Sequence, residues 1–297
     1  MIEAYVKYEM RAFDGLIGLA SVKEKIERLV TDLVHERNHR ALDVCIFPAR
    51  RHLVFSGPVG VGKSRVARAF GQICHRLGAL DKGHMIVVNH TDIAATSIDE
   101  KLMLMHEKCD AAIDGILYVR NEAFLTAGIL RSTGDLRRDA VDVMIDFMNR
   151  YRGRFSVILD ARPNQLHYIS FHSVLARRFT TTIDFPAYDA FELIQILATK
   201  AKCLGIALPP EIECDLFPWI AAHSHHSDWR NADEIVDLFS KALGALVMRS
   251  LRARRADLGG FDHIDFKQAL LAKQSDHTAS AGRTVETSGK LSSPLTT

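Results

Sequence analysis

Short apolar runs alternate with amphipathic segments through residues 1–186. The runs typical of buried strands are His52–Gly57, Met85–His90, Gly115–Val119, Phe155–Ala161 and Thr181–Phe185. Apolar positions at helical spacing fill the segments before and between them, at residues 21–42, 63–78, 98–113 and 134–153. Short strands that alternate with helices indicate crossover connections. The pattern therefore predicts an α/β fold, with a five-stranded parallel sheet and helices on both faces.

The strand signals stop after Pro186, and the pattern changes to helical spacing alone. We expect helices within residues 191–205, 211–225, 231–255 and 265–273. The last segment, residues 274–297, is rich in Ser, Thr and Gly and has few apolar side chains with which to form a core. The predicted organisation is an αβα domain over residues 1–186, a small all-helical domain over 187–273 and a disordered tail over 274–297.

The net charge, the length of the apolar runs and the cysteines indicate which partners and which cellular compartment to expect. A formal charge of +2 over 297 residues does not indicate nucleic-acid or acidic-membrane binding. Apolar runs stay well below the roughly 20 residues that span a bilayer, and charged residues interrupt the first turns, which argues against a signal peptide. The five cysteines form no C-x-x-C pair, so we expect reduced thiols and no zinc site. A cytoplasmic protein, or one in a stroma-like organelle interior, is the expectation.

A phosphate-binding loop follows the first strand. The stretch "GPVGVGKS" fits G-x-x-x-x-G-K-[ST] and lies between a predicted strand and a predicted helix, the context that this motif requires. Glycines allow backbone N–H groups to surround phosphate oxygens, and the helix N-terminus attracts anions. The sequence therefore predicts ATP binding, with Lys63 on the phosphates and Ser64 on Mg²⁺. The binding residues are Gly57, Pro58, Val59, Gly60, Val61, Gly62, Lys63 and Ser64.

Several further stretches resemble one family. A phosphate loop, five strands and a helical lid resemble the plan of AAA+ proteins. Within these, the chain resembles more closely the CbxX/CfqX family, which includes red-type Rubisco activases. The segments that carry this resemblance are "LIGLASVKEKI", "HRLGALDKGHMIVV", "GILYV", "RRFTTTIDFPAYDAFEL" and "NADEI". The resemblance implies that Ile17 and Gly18 contact adenine. It also implies a ring-forming ATPase that remodels a protein partner.

The resemblance fails after the third strand, where the family has an Asp-Glu pair. Aligned without a gap, Arg120 and Asn121 take those places. With one inserted residue, a bulge aligns Asn121 and Glu122 with the acidic pair, and we prefer this alignment because the following "EAF" match survives. In both alignments the acidic residue that orders Mg²⁺ is lost. Arg120 then either points away from the nucleotide or rejects the metal.

Other family positions also differ. The lid helix begins Asn-Ala-Arg in the family, whereas Asp233 reverses that charge here. The central-pore loop of the family carries an aromatic residue where this chain has Ser97, and a small residue ends the fourth strand where this chain has Asp160. We expect Asp160 to repel phosphate unless it faces a metal. The metal-ordering motif, the pore loop and the lid position are thus all degenerate relative to the family.

The candidate catalytic residues are those that the family resemblance retains in part. Arg177 and Arg178 stand where the family supplies an arginine finger to a neighbouring subunit, Glu122 is a candidate for positioning water, and Asn121 replaces an acidic residue. Two hypotheses follow. The first is an active remodelling ATPase. The second is a low-turnover subunit of a homo- or hetero-oligomeric ring, with an active paralogue as one candidate neighbour. The losses favour the second. A P-loop kinase or a DNA-linked ATPase lacks support from charge or lid motifs.

Overall fold

The computed structural model describes residues 2–41, 52–89, 98–120, 140–171, 173–226, 228–253 and 260–273. The chain divides into two compact units, with the boundary between Ala187 and Tyr188. Each unit is described by itself below.

The first unit contains the parallel sheet and the helices that cover it. Its strands are β1 Leu53–Ser56, β2 Met85–Val88, β3 Ile116–Arg120, β4 Ser156–Ala161 and β5 Thr181–Asp184. Its helices are α1 Ile2–Met10, α2 Ala20–Ala41, α3 Lys63–Arg76, α4 Ile98–Ala111, α5 Ala140–Arg150, α6 Leu166–Phe171 and α7 Ser173–Arg178. Short 3₁₀ turns lie at Arg11–Phe13 and Pro163–Gln165.

The sheet confirms the predicted five-stranded parallel arrangement. Its strand order is β2-β3-β4-β1-β5, and each neighbouring pair is parallel. Strand β1 is buried along its whole length, as a central strand covered on both faces should be. Because β4 lies between β1 and β3, the carboxyl ends of these strands lie side by side, directly where β1 leads into the phosphate loop.

Residues that alternate along the central strands pack against different helices. Leu117 of β3 and Leu159 of β4 join a core cluster with Met105 of α4 and Met144 of α5. On the other face, α3 comes close enough to β3 that a Cβ on Gly71 would lie 2.9 Å from the Ile116 side chain. Side chains separated by two positions share a face. Ile116, Tyr118 and Arg120 therefore belong to the α3 face of β3.

The N-terminal helix α1 was not expected from the sequence. Its charged positions were interpreted only as evidence against a signal peptide. One of them, Glu9, is buried and accepts a 2.7 Å hydrogen bond from Arg76 Nε on α3. The partner lies far along the chain, so the local pattern of α1 alone does not indicate that a charged position faces inward.

The second unit is helical, in agreement with the predicted change of pattern. Its helices are α8 Ala190–Cys203, α9 Glu211–His223 and α10 Ala232–Arg252, followed by a helical segment at residues 263–273. Asp189 caps α8, since its side chain accepts from the Glu192 N–H at 2.8 Å and Glu192 returns an acceptor to the Asp189 N–H at 3.0 Å. Among the helices described in either unit, none is long and apolar enough to cross a membrane.

Candidate nucleotide site

The loop Gly57–Ser64 has a backbone that only glycine accommodates easily. The Gly57 N–H donates to the Ala161 carbonyl at 3.1 Å, which ties the start of the loop to β4. A Cβ at Gly57 would lie 2.4 Å from the Phe185 carbonyl oxygen. Gly60 and Gly62 have φ angles of 77° and 89°, in the left-handed region that disfavours other residues. The glycines of the motif are therefore required by the turn itself.

Helix α3 begins immediately after this turn. The N–H groups of Arg65 and Val66 both donate to the Gly62 carbonyl at 3.0 Å, which closes the first turn. The N–H groups that precede them in the first turn have no intrahelical acceptor, and they carry the positive end of the helix dipole. The loop and the helix start together present a surface that suits phosphate oxygens.

Lys63 directs its ammonium group back across the loop. The side chain is only 7% exposed. Its Nζ donates to the Gly57 carbonyl and, at 2.8 Å, to the Pro58 carbonyl, and it lies 3.0 Å from Asp160 Oδ1. An ammonium has three protons to donate, and these contacts use all of them. Lys63 is thus fully satisfied by the protein, and a phosphate must replace at least one of its acceptors.

Asp160 is fixed on its other side by Tyr118. The Tyr118 hydroxyl donates to Asp160 Oδ2 at 2.7 Å. Burial, together with the adjacent carboxylate, raises the pKa of Tyr118, so that the phenol keeps its proton and acts as the donor. Asp160 itself pairs in register with Phe55 on β1 and with Arg120 on β3. Its carboxylate is therefore held between the phosphate loop and the end of β3.

The structure adds a partner for Asp160 that the sequence did not indicate. We expected Asp160 to repel phosphate unless it faces a metal, and in the structure its carboxylate lies beside a cation of the loop itself, Lys63. Tyr118 was missed altogether as a site residue. The signal available in the sequence was a phenol within an otherwise apolar buried strand, because a buried Tyr hydroxyl generally finds a hydrogen-bond partner.

Arg120 ends β3 with its side chain exposed. The ladder between β3 and β4 runs in regular register from Ile116 to Arg120, so no bulge interrupts β3 within these residues. The side chain shares the face of Tyr118 but extends into solvent. Asn121 and Glu122, whose alignment with the acidic pair depends on a bulge, lie outside the described residues, as does Ser97 of the pore-loop segment.

The segment predicted to contact adenine lies beside the start of α3. A Cβ at Gly15 would be 3.6 Å from Arg65 Nη2, which brings this segment next to the phosphate-loop helix. Ile17 and Gly18 are half-buried, and Gly18 has a φ of 61°. Lys23 Nζ donates to the Leu16 carbonyl at 2.6 Å and fixes the turn. The structure therefore brings Gly15, two residues before Ile17, next to the Arg65 side chain, and the contact of Ile17 and Gly18 with adenine stays a prediction.

The two arginines at the end of α7 differ in their surroundings. Arg178 is half-buried and donates from Nη2 to Asn149 Oδ1 at 2.6 Å, while burial, followed by the nearby Arg152, lowers its pKa. Arg177 is exposed. Arg178 is thus anchored within its own unit, and the side chain available to another molecule is that of Arg177.

In the second unit, Asp233 lies in the first turn of α10 and is exposed. The preceding Asn231 is buried, with a φ of 48°, and its Oδ1 accepts from the Tyr188 N–H at 3.3 Å. The helix start that carries Asp233 is therefore fixed in conformation. Across the described parts of both units, no group of three or more His, Cys, Asp or Glu side chains is arranged to hold a metal ion.

Comparisons with known proteins show which proteins the chain is similar to. No family model matches the chain. It is 26% identical over 274 residues to protein CfxQ of Xanthobacter flavus, covering 86% of each protein, and 25% identical over 268 residues to protein CbbX of Cereibacter sphaeroides, covering 83% of this chain and 86% of that one. These alignments extend over most of both units.

One further relative and one solved structure are also similar to this chain. The chain is 32% identical over 190 residues to the ESX-3 secretion system protein EccA3 of Mycolicibacterium smegmatis, but this alignment covers 63% of the chain and only 30% of that protein. A solved structure of katanin, concerned with its self-assembly, superposes with a TM-score of 0.56 at 18% identity and covers 87% of this chain and 83% of that one. At this identity the katanin match shows the fold alone.

Proposed function

Since the chain is a AAA+ protein of the CbxX/CfqX family, we propose that it binds ATP at the Gly57–Ser64 loop and hydrolyses it slowly. The observation that carries this proposal is the position of Lys63. Its ammonium lies at the phosphate loop, as a nucleotide site requires, yet it is paired with the Asp160 carboxylate at 3.0 Å. A lysine neutralised in this way is less able to stabilise the charge that develops on the phosphates.

The residues around the loop suit the phosphates of ATP. Left-handed glycines, the N-terminus of α3 and the Lys63 ammonium combine backbone donors with a cation. ATP would bring the phosphoanhydride bond that is broken, and the residues of the loop would hold that bond in position. Ser64, half-buried in the first turn of α3, carries the hydroxyl that would hold Mg²⁺. Ile17 and Gly18 would contact the adenine ring.

Slow turnover follows from the side chains proposed for catalysis. Glu122 would position the attacking water, and Asn121 would stand where the family has a carboxylate that orders the waters of the metal. An amide accepts a hydrogen bond but brings no charge.

The proposed context is a ring assembly that acts on a protein partner. The exposed Arg177 would contact the nucleotide of a neighbouring subunit, whereas Arg178, held by Asn149, would support α7. The exposed Asp233 reverses the charge of the arginine that the family resemblance leads us to expect at this position of the lid helix. A regulatory subunit, in a homo-oligomer or beside an active paralogue, fits these features better than an efficient motor does.

The proposal is tested first by binding. We expect wild-type protein to bind ATP in a calorimetric titration with Mg²⁺ present, and Lys63→Ala to weaken binding at least about tenfold, the equivalent of about 1.4 kcal/mol. Lys82→Ala, at an exposed position of the same unit, is the matched control and should bind as the wild type does. Unchanged affinity in Lys63→Ala would refute the assignment of the loop.

A further inference from the structure

We propose that Asp160 determines the specificity of the nucleotide site by making phosphate binding conditional on a divalent cation. The inference rests on the proposed function, since it concerns the same loop. It gives a role in nucleotide selection to Asp160, where the family resemblance has a small residue, and it predicts which form of the nucleotide, free or metal-bound, the site accepts.

The first step is the position of the negative charge. Asp160 Oδ1 lies 3.0 Å from Lys63 Nζ, and the carboxylate is 20% exposed. A phosphate that binds to Lys63 must approach within a few ångströms of this carboxylate. Because the lysine is largely buried, solvent screens the repulsion poorly. The carboxylate thus offsets much of the attraction that Lys63 provides for a phosphate without a metal.

The second step is that the carboxylate is held in place. Tyr118 is fully buried in β3, and its hydroxyl donates to Asp160 Oδ2 at 2.7 Å. Both neighbours of β4 hold the Asp160 backbone, through register with Phe55 and Arg120. Both carboxylate oxygens therefore have partners that keep the charge beside the loop. Rotation away from an arriving phosphate would leave the buried phenol of Tyr118 without its acceptor.

A positive charge is needed to relieve the repulsion between the Asp160 carboxylate and a phosphate. Arg120 is the cation next to Asp160 in the ladder, but its exposed guanidinium is screened by water. A divalent cation carried by the phosphates would bring positive charge to the carboxylate. Hard divalent cations prefer oxygen ligands such as carboxylates and phosphates. Metal-bound nucleotide is then accepted, and free nucleotide is rejected.

The experiment is a calorimetric titration with ATP, performed once with excess Mg²⁺ and once with EDTA. We expect removal of the metal to weaken wild-type binding by more than about thirtyfold, and to weaken Asp160→Asn by less than about threefold, on the scale where tenfold is about 1.4 kcal/mol. Tyr118→Phe, which frees one carboxylate oxygen, should fall between them. Asp81→Asn, an exposed carboxylate of the same unit, should behave as wild type.

The outcomes separate this inference from the proposed function. Equal metal dependence in wild type and Asp160→Asn, with both proteins folded by thermal unfolding, would overturn the role of Asp160 while leaving ATP binding intact. Absence of binding by every variant in both conditions would overturn both. Binding of metal-free ATP by Asp160→Asn, where the wild type binds none, would support the inference in its strongest form.

Discussion

Lys63 and Asp160 form a largely buried ion pair, and such pairs are expensive to desolvate. Lys63 is 7% exposed and Asp160 20%, so neither charge is fully hydrated. Further hydrogen bonds offset part of this cost, because Lys63 also donates to two loop carbonyls and the second oxygen of Asp160 accepts from Tyr118. An arriving phosphate competes with this carboxylate for Lys63. The net gain from Lys63 is therefore smaller than in a loop whose lysine has no such partner.

The loop residues could be predicted from the sequence, but this ion pair could not. The motif "GPVGVGKS" specifies a local turn, and local turns follow from glycine positions alone. The contact of Lys63 with Asp160 depends on β4 being the neighbour of β1, which is a property of the strand order. The sequence alone indicates that Asp160 would repel phosphate unless it faces a metal, and it does not indicate Lys63 as the partner.

Asn121, which replaces an acidic residue of the family, leads to a prediction for the rate of ATP hydrolysis. We expect Asn121→Asp to raise steady-state ATP hydrolysis by about tenfold or more, the equivalent of about 1.4 kcal/mol in the activation barrier, because a carboxylate there would order the waters of the metal. ATP affinity with Mg²⁺ should change little. Glu122→Gln in the same background should remove the gain. A wild-type rate of about 1 s⁻¹ or more, typical of enzymes, would contradict slow turnover.

Among the elements, the strands follow the sequence pattern more closely than the helix ends do. Strands β1 to β5 lie within or next to the predicted apolar runs, and β3 continues one residue beyond Val119 to Arg120. Arg120 was set apart from the run because it is charged, whereas the ladder with β4 continues regardless of side-chain polarity. Helix α1 was missed because its inward-facing Glu9 is stabilised by Arg76, a tertiary partner.

The start of α10 depends on a buried network with the segment 263–273. Glu234 accepts from Arg230 at 2.8 Å and from Lys273, which also lies 2.5 Å from Asp237. Lys273 is 4% exposed and Glu234 is 2% exposed. The network fixes the helix start that presents Asp233, although none of these side chains belongs to the loop site.

We expect Lys273→Met to destabilise the protein by about 3 kcal/mol, the lower range for breaking a buried pair. Glu234 retains Arg230 but loses its buried cation. Lys267→Met, an exposed position in the same segment, is the matched control and should change the free energy of unfolding by less than about 0.5 kcal/mol. Chemical denaturation measures both, and equal stability of the two variants would contradict the assigned role.

The same network predicts the direction of its pH dependence. Burial raises the pKa of the Glu234 carboxyl, but the hydrogen bonds from Lys273 and Arg230 outweigh it and hold that pKa below its usual range. A carboxyl whose pKa is lowered in the folded state stabilises the protein at pH values above its unfolded-state pKa, which is about 4.3 for Glu. This stabilisation is lost as the pH falls through the folded-state pKa. The difference in stability between wild type and Lys273→Met should therefore shrink below about pH 4.

For the molecule as a whole, the sequence predicted the fold class and family because both depend on features that are strong locally. Strand and helix periods, the phosphate loop and the entry segment at Ile17 and Gly18 are each visible within a few residues. The proposed assembly would depend on exposed side chains, and two arginines that are neighbours in sequence differ in this respect. Arg178 bonds to Asn149, whereas Arg177 is exposed.

This difference leads to an expectation for the intact protein in solution. If Arg177 contacts the nucleotide of a neighbouring subunit, ATP with Mg²⁺ should increase the mass measured by light scattering, and Arg177→Ala should reduce that increase. Nucleotide binding by the dispersed Arg177→Ala subunit should persist, because its own loop is intact. Arg150→Ala, at another exposed arginine of the same unit, is the control and should assemble as the wild type does, since the proposed contact is assigned to Arg177 and not to Arg150. A wild type that stays monomeric at every concentration, with and without ATP, would rule out assembly through this face. An Arg177→Ala protein that assembles normally would instead remove only this residue from the contact.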